Sequence, residues 1–137
     1  MSILSGAIYD VLVADATLIG LVSSYGGQAA VFTIDPAPGD AELPYIVTAG
    51  EVSQAPADTK NSLGRELRRD VRCYAAANGS AVTVEAIAER VRALLHRQSM
   101  EITGFVWIWA ECSGPIVADE EDAYGRIVSV RMRVEEL

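Results

Sequence analysis

The sequence contains few of the residues from which catalytic and metal sites are usually built. It has one histidine, His96, and two cysteines, Cys73 and Cys112, which lie far apart and in no metal-ligand spacing. A lone histidine near the end of a helical segment is typical of a solvated or dipole-compensating residue. The cysteines are typical of reduced, buried side chains, and no phosphate-binding loop, dinucleotide glycine pattern or nucleophile elbow occurs. The sequence therefore predicts no catalytic residue, no metal and no cofactor.

Long apolar runs are also missing. No stretch approaches the roughly 20 residues that a membrane span requires, and the N-terminal residues carry no positive charge typical of a secretory signal. Half of the 137 residues are nevertheless apolar, which favours a packed core over disorder. We expect a single domain over residues 1–137 without a membrane partner.

Positive charge is scarce as well. Eleven Lys and Arg residues face nineteen Asp and Glu residues, so the formal net charge is −8. Affinity for duplex DNA comes mostly from neutralising phosphates, so this balance argues against a protein that grips DNA. It remains compatible with a surface past which DNA slides without specific binding.

Hydrophobic periodicity predicts an α+β fold in the order α-α-β-β-β-α-β-β. Asp15 is placed as the N-cap of a second short helical piece that continues to Val22 and stops at Gly26-Gly27. The strand over 104–111 is apolar on both faces, which predicts cover on both sides. The architecture we expect is an antiparallel sheet with helices on one face. The other strands are predicted over 29–34, 43–52, 66–76 and 126–135, and the long amphipathic helix follows Asn78-Gly79-Ser80.

Two charged features stand out. Arginines crowd two predicted strands, where they can pair with carboxylates such as Glu66 or reach acids of an adjacent protein. Alternation aims Arg69 at the apolar face, so it should be paired there. The acidic run from Asp119 to Asp122 lacks the spacing of a calcium loop and is typical of a solvated hairpin turn.

Four blocks of the sequence, in this order, resemble the tail-completion (tail terminator) family of siphophages and gene transfer agents. They are residues 7–22 (AIYDVLVADATLIGLV), 43–47 (LPYIV), 69–75 (RDVRCYA) and 86–95 (AIAERVRALL). An acidic turn, a tyrosine and a final alternating strand complete the resemblance, which spans nearly the whole chain.

The resemblance implies a structural virion protein that is not an enzyme. Such a protein is made in the bacterial cytoplasm and lies at the head-proximal end of the tail, where it stops tube polymerisation. Its implied partners are further copies of itself in a ring of six, the major tail tube protein and a head–tail connector or stopper protein. Six copies would carry about 6 × 8 = 48 formal negative charges.

Within this interpretation, the interface is expected in the polar loop 53–64 and on the arginine-rich strands. The candidate interface residues are Gln54, Asp58, Lys60, Arg65, Arg68, Arg69, Arg72, Arg131 and Arg133. The candidate acidic residues of a lumen through which DNA passes are Asp119, Glu120, Glu121 and Asp122.

Two other interpretations remain open. One is a neck stopper or connector protein, which also forms rings and also avoids DNA. The other is a ferredoxin-like α+β domain that binds a small molecule in a pocket beside Trp107 and Trp109, although core packing accounts for both tryptophans more simply.

Overall fold

The structure, a computed structural model, describes residues 3–34, 37–48, 51–60 and 63–137; the side chains of residues 3–5 and 51–54 lie outside that description. Its elements are α1 (Ile3–Val13), α2 (Ala16–Ile19), β1 (Ser24–Tyr25), β2 (Gln28–Ala29), β3 (Val31–Phe32), β4 (Tyr45–Val47), β5 (Glu51–Pro56), β6 (Gly64–Ala76), α3 (Val82–Leu95), β7 (Phe105–Val117) and β8 (Ala123–Glu136).

The main sheet has the strand order β3-β4-β6-β8-β7, and β5 pairs with β6 beside β4. The predicted α+β class with helices on one face is confirmed, but the sheet is mixed and not purely antiparallel. Strands β3 and β4 are parallel, with Val31 opposite Ile46. The segment 33–44 between them is long enough to return the chain to the same end before β4 begins, as a parallel pair requires.

The N-terminal region differs from the prediction at the end of its second helix. Asp15 is the N-cap of α2, as expected, and its carboxylate accepts a hydrogen bond from the Leu18 N–H at 2.9 Å. The helix ends at Ile19, however, with Gly20 as its C-cap. Gly26 and Gly27, at φ 58° and 83°, instead form the two-residue turn of the small β1–β2 hairpin.

The core lies between the helices and one face of the sheet. Helix α3 buries one stripe of side chains, at Val84, Ile87, Ala88, Val91 and Leu95. Strand β8 buries the alternating set that the sequence predicted, at Val128, Val130, Met132 and Val134. Ile8, Leu12 and Leu18 of α1 and α2 join the same cluster, so all three helices pack on one side of the sheet.

Three predicted boundaries are corrected. Strand β5 continues through Pro56, so the expected loop 53–64 shrinks to 57–63, of which residues 61 and 62 lie outside the described part. Strand β7 runs to Val117 and β8 begins at Ala123, so the acidic turn is only 118–122.

The expectation that the strand over 104–111 is covered on both sides is wrong for the isolated chain. Strand β7 is the edge of the sheet, and its Val106 and Ile108 side chains are 44% and 42% exposed. Apolar residues on both faces indicate a strand that is to be covered, but they do not indicate whether the cover comes from the same chain.

Candidate functional site

The face of the sheet that carries no helix presents most of the predicted arginines, and we call it the open face. Because paired residues in an antiparallel ladder share a face, register assigns its members on β6 and β8. They are Glu66, Arg68, Asp70 and Arg72 of β6 and Ile127, Ser129, Arg131 and Arg133 of β8. The fold therefore brings all six predicted interface arginines to two adjacent strands. Four of them lie on the open face, and Arg65 and Arg69 lie on the opposite face.

Arg131 lies at the centre of the open face. Its Nε donates to Glu66 Oε1 at 2.5 Å, and its guanidinium lies 5.3 Å from the centre of the Trp109 ring. Arg68 stands directly opposite Arg131 in the ladder, is exposed, and makes no ion pair with any described residue. Two arginines placed opposite each other repel, and a carboxylate that paired with Arg68 would relieve this repulsion.

Arg65 and Arg133 lie near the end of the sheet where loop 57–63 and the C-terminus meet. Arg65 forms an ion pair with Glu136 at 3.0 Å, and its guanidinium carbon lies 5.2 Å from the centre of the Phe105 ring. Arg133 donates from a terminal nitrogen to the carbonyl of Ala57 at 3.1 Å, while its buried Nε has no acceptor among the described residues. Both arginines thus stabilise this end of the chain before any partner binds.

Arg69 is placed differently from the other arginines. It is fully buried on the helix side of the sheet, where Nε donates to Thr48 Oγ1 at 3.3 Å and a terminal nitrogen donates to the Thr48 carbonyl. The expectation that it is paired there is confirmed. Its side chain is inside the domain, so Arg69 is not on the surface where the sequence placed it as a candidate interface residue.

Two of the four acids in the acidic turn, Asp119 and Glu120, contact other residues of the domain. The Asp119 carboxylate accepts from the Gly125 N–H at 3.0 Å and from Arg126 at 3.2 Å, and Arg126 also reaches Glu85 of α3. Glu120 contacts the Tyr74 hydroxyl, which also contacts Arg72. Burial raises the pKa of Tyr74; the Arg72 contact lowers it and the Glu120 contact raises it further.

Glu121 and Asp122 complete the turn. Both are exposed, and neither has a hydrogen bond or ion pair with another described residue. Of the four predicted lumen residues, these two are therefore the ones that present unengaged charge to solvent.

The predicted loop residues fall into three situations. Asp58 closes the β5–β6 connection, because its Oδ1 accepts from the Gly64 N–H at 3.1 Å. Lys60 is exposed in the connection itself. The backbone of Gln54 pairs opposite Leu67 in β5, and its side chain lies outside the described part of the chain.

Trp107 packs against the core and Trp109 lies beneath Arg131. Beside them, a groove of about 370 Å³ follows the β7 edge and is lined by Arg97, Ser99 and residues 107–111. Among the residues that the structure describes, no group of three or more His, Cys, Asp and Glu side chains is arranged to hold a metal ion. Within the same residues, the helices are all too short or too polar to cross a bilayer.

Two neighbouring residues, His96 and Arg97, bond to β7 in a way that the sequence did not predict; His96 is half-buried instead of solvated. The His96 side chain accepts a hydrogen bond at Nδ1 from the Cys112 N–H at 2.9 Å, and the Arg97 N–H donates to the Ala110 carbonyl at 3.0 Å. Arg97 adopts a left-handed conformation, with φ 55°, which is uncommon for a residue other than glycine. Both bonds occupy backbone groups on the outer edge of β7, a tertiary contact that no local sequence pattern reveals.

Comparison with known proteins shows the family and the fold of this chain. No curated protein matches the chain in sequence. A solved structure described as the virion of a native gene transfer agent (GTA) particle contains a chain with the same fold. The TM-score is 0.77 and the identity 23%, over 96% of this chain and 94% of that one. The family model "Tail completion protein gp17" matches residues 6–135. Since that match covers nearly every residue from α1 to β8, the chain belongs to the tail completion protein gp17 family.

Proposed function

We propose that this protein is the terminator of a phage-like tail. It forms a ring of six copies at the head-proximal end of the tail tube, stops tube polymerisation and joins the tail to the head or neck. The observation that carries the proposal is the family match over residues 6–135, which makes the chain a tail completion protein. The GTA virion chain of the same fold supports a place in a particle.

The two ends of the sheet differ in chemistry, as a terminator requires. Strands β6, β7 and β8 span 13 or 14 residues, so each is about 43–46 Å long. At one end, Leu63 and Leu137 are 58% and 88% exposed beside a groove lined by Pro56, Arg65 and Glu136. At the other end lies the acidic turn 118–122.

These ends suit two different partners. The exposed leucines and the paired charges around them suit contact with a protein surface, and we assign that end to the major tail tube protein. The acidic end faces the head–tail connector or stopper protein. There, Glu121 and Asp122 add negative charge to the path of the DNA, which passes without specific binding because like charges repel.

Electron microscopy of particles from a strain that lacks this gene tests the proposal. We expect overlong tails, or tails without heads, and restoration of normal particles by the gene supplied in trans. Tails of normal length that fail to join heads would indicate a neck stopper instead. Normal particles carrying normal tails would contradict both roles.

A further inference from the structure

Charge is divided very unevenly along this chain. Residues 1–59 contain seven acids and no Lys, Arg or His, whereas residues 60–137 contain the other twelve acids and all eleven Lys and Arg residues. The formal charges are therefore −7 for the first segment and 11 − 12 = −1 for the second. The fold converts this division along the sequence into a division in space.

Strands β3 and β7 are the opposite edges of the main sheet. The β3 side is built entirely from the first segment and presents the exposed acids Asp10, Asp40 and Glu42. Helix α1 lies beside it, since Tyr9 donates to Gln28 at 3.1 Å. Ile34, which follows β3, is 61% exposed.

The β7 side combines apolar and basic groups. A bulge between Trp107 and Trp109 inserts Ile108 as an extra residue in the ladder, and Val106 and Ile108 are both exposed. Arg97 stands on the rim of the groove along this strand, with an exposed side chain that makes no ion pair within the described residues. Glu111 lines the same groove, so this side is close to neutral overall.

The backbone of Arg97 is held by the fold. Its N–H is bonded to the Ala110 carbonyl, and its conformation is left-handed, which is uncommon for a residue other than glycine. The fold therefore fixes the point on the β7 edge from which the Arg97 side chain extends. Arginine in such a position recognises carboxylates with two parallel hydrogen bonds.

We propose that neighbouring copies of this chain join head to tail, with the β7 edge of one copy and its Arg97 against the Asp40 and Glu42 carboxylates on the β3 side of the next. This proposal depends on the ring proposed above and names the surfaces through which its neighbouring copies meet. Because the β3 side contains no basic residue, two copies cannot meet through it symmetrically without setting acid against acid. The bases that neutralise it in a homo-oligomer must come from residues 60–133 of the neighbour.

The proposed contact also covers what the isolated chain leaves open. Strand β7 is apolar on both faces but exposed on one, and a strand about 43 Å long suffices for the roughly 800 Å² that each partner gives to a stable interface. The His96 and Arg97 bonds already occupy the β7 backbone at Ala110 and Cys112. Side chains, and not an added strand, therefore make the contact at that point.

Charge reversal tests the contact in assembled particles. Arg97→Glu and Glu42→Arg, supplied singly to the gene-deletion strain, should each reduce the number of correctly terminated tails about tenfold or more, because like charges then meet at every contact of the ring. Both substitutions in one chain, or the two single variants expressed together, should restore assembly. Glu89→Arg, at an exposed acid of α3, is the control for the change of charge, and Arg68→Glu tests the open face as the alternative contact.

A cysteine pair tests the geometry independently. Particles that carry Arg97→Cys with Glu42→Cys should give, after mild oxidation, a ladder of linked chains up to the full ring, whereas each single variant gives monomers. Correctly terminated particles that yield only monomers from the double variant would overturn the proposed contact.

The outcomes separate this interface from the terminator role itself. Normal tails made with Arg97→Glu, or tails lost with Arg68→Glu and not with Arg97→Glu, would overturn the interface and leave the terminator role intact. Normal tails in the gene-deletion strain would overturn the terminator role instead.

Discussion

The carboxylate of Asp15 ties helix α2 to helix α3 through Arg90. Arg90 donates from Nε to Asp15 Oδ2 at 2.8 Å and from a terminal nitrogen to Oδ1 at 2.6 Å, so the pair is bidentate. The same carboxylate caps α2 by accepting from the Leu18 N–H. The hydrogen bond from Arg90 is the main cause that lowers the pKa of Asp15; partial burial opposes it, and the Leu18 bond adds to it.

We expect Asp15→Asn to lower the melting temperature by about 3–6 °C at pH 7, since the ion pair with Arg90 is lost while asparagine can still cap α2. Because the folded-state pKa lies below the ordinary value of 3.8, this stabilisation is complete above that pH and is lost as the pH falls through the lowered pKa. Thermal unfolding of both proteins at pH 7 and near pH 3 measures the difference. Glu89→Gln, on the exposed face of α3, serves as the control, and an undiminished difference at pH 3 would contradict the assignment.

Arg69 should tolerate an apolar replacement better than truncation. Arg69→Ala leaves a cavity and an unsatisfied Thr48 carbonyl, and we expect it to reduce the free energy of unfolding by about 3–5 kcal/mol. Arg69→Met keeps most of the volume and removes the buried charge, so its loss should be clearly smaller. Urea denaturation compares the two, with the exposed Arg68→Ala as a control expected within about 0.5 kcal/mol of the parent protein. Equal losses for Met and Ala would argue that the Thr48 bonds, and not packing, dominate.

Gly125 lies where two segments approach too closely for a side chain. A methyl group there would lie 2.3 Å from the Ala118 carbonyl oxygen and 2.9 Å from a Tyr74 ring carbon. We expect Gly125→Ala to reduce the free energy of unfolding by about 2 kcal/mol or more, because backbone must move to relieve the overlap. Gly39→Ala is the matched control, since nothing lies within 4 Å of its added carbon. Equal stability of the two variants would contradict the close approach.

Both cysteine thiols should be unreactive in the folded protein. Burial raises the pKa of Cys73 to about 12 and is the main cause that raises the pKa of Cys112 to about 11. At pH 8 only about one Cys73 side chain in ten thousand would then be the reactive thiolate. We expect no labelling by a thiol reagent before denaturation and two labels per chain after it. Rapid labelling of the folded protein would mean that β6 or β7 opens locally.

The acidic turn offers a test of DNA passage that rests on the terminator role. Glu121→Gln with Asp122→Asn removes the two unengaged charges and spares the structural contacts of Asp119 and Glu120. If the turn faces the DNA path, these particles should eject DNA more slowly, because less negative charge repels the phosphates. Fluorescence of released DNA measures the rate, and Glu89→Gln with Glu101→Gln is a control of equal charge. Identical ejection would place the turn away from the DNA.

The amphipathic elements could be predicted because their periodicity directly records which residues are buried. Helix α3 shows this, since each of its buried residues falls in the predicted stripe. Strand β8 shows it over the predicted range 126–135, where the buried residues are Val128, Val130, Met132 and Val134; the buried Ala123 and Gly125 precede that range. The parallel pairing of β3 with β4 could not be predicted, because two-residue and three-residue strands carry no periodicity and their direction depends on the path of a loop. The same holds for the split of the strand predicted over 43–52 into β4 and β5.

The candidate site divides in a similar way. The arginine-rich strands could be predicted to share a surface, because alternation fixes which residues face together. Which of these arginines are already engaged could not be predicted. The partners of Arg65 and Arg133 lie 71 and 76 residues away along the chain, and such distances are set only by tertiary structure. The place of Arg97 could not be predicted either, because it depends on a tertiary contact with the edge of β7.

The pairing of β6 with β8 has a mechanical consequence. Thirteen consecutive residue pairs, from Gly64 with Glu135 to Ala76 with Ala123, join these strands without a shift in register, whereas the β7–β8 ladder is interrupted twice. A pull along the strands loads such a ladder in shear, so its hydrogen bonds resist together instead of opening one after another. The central seam of the domain is therefore its stiffest part along the strand direction, and under tension the β7 edge should yield first.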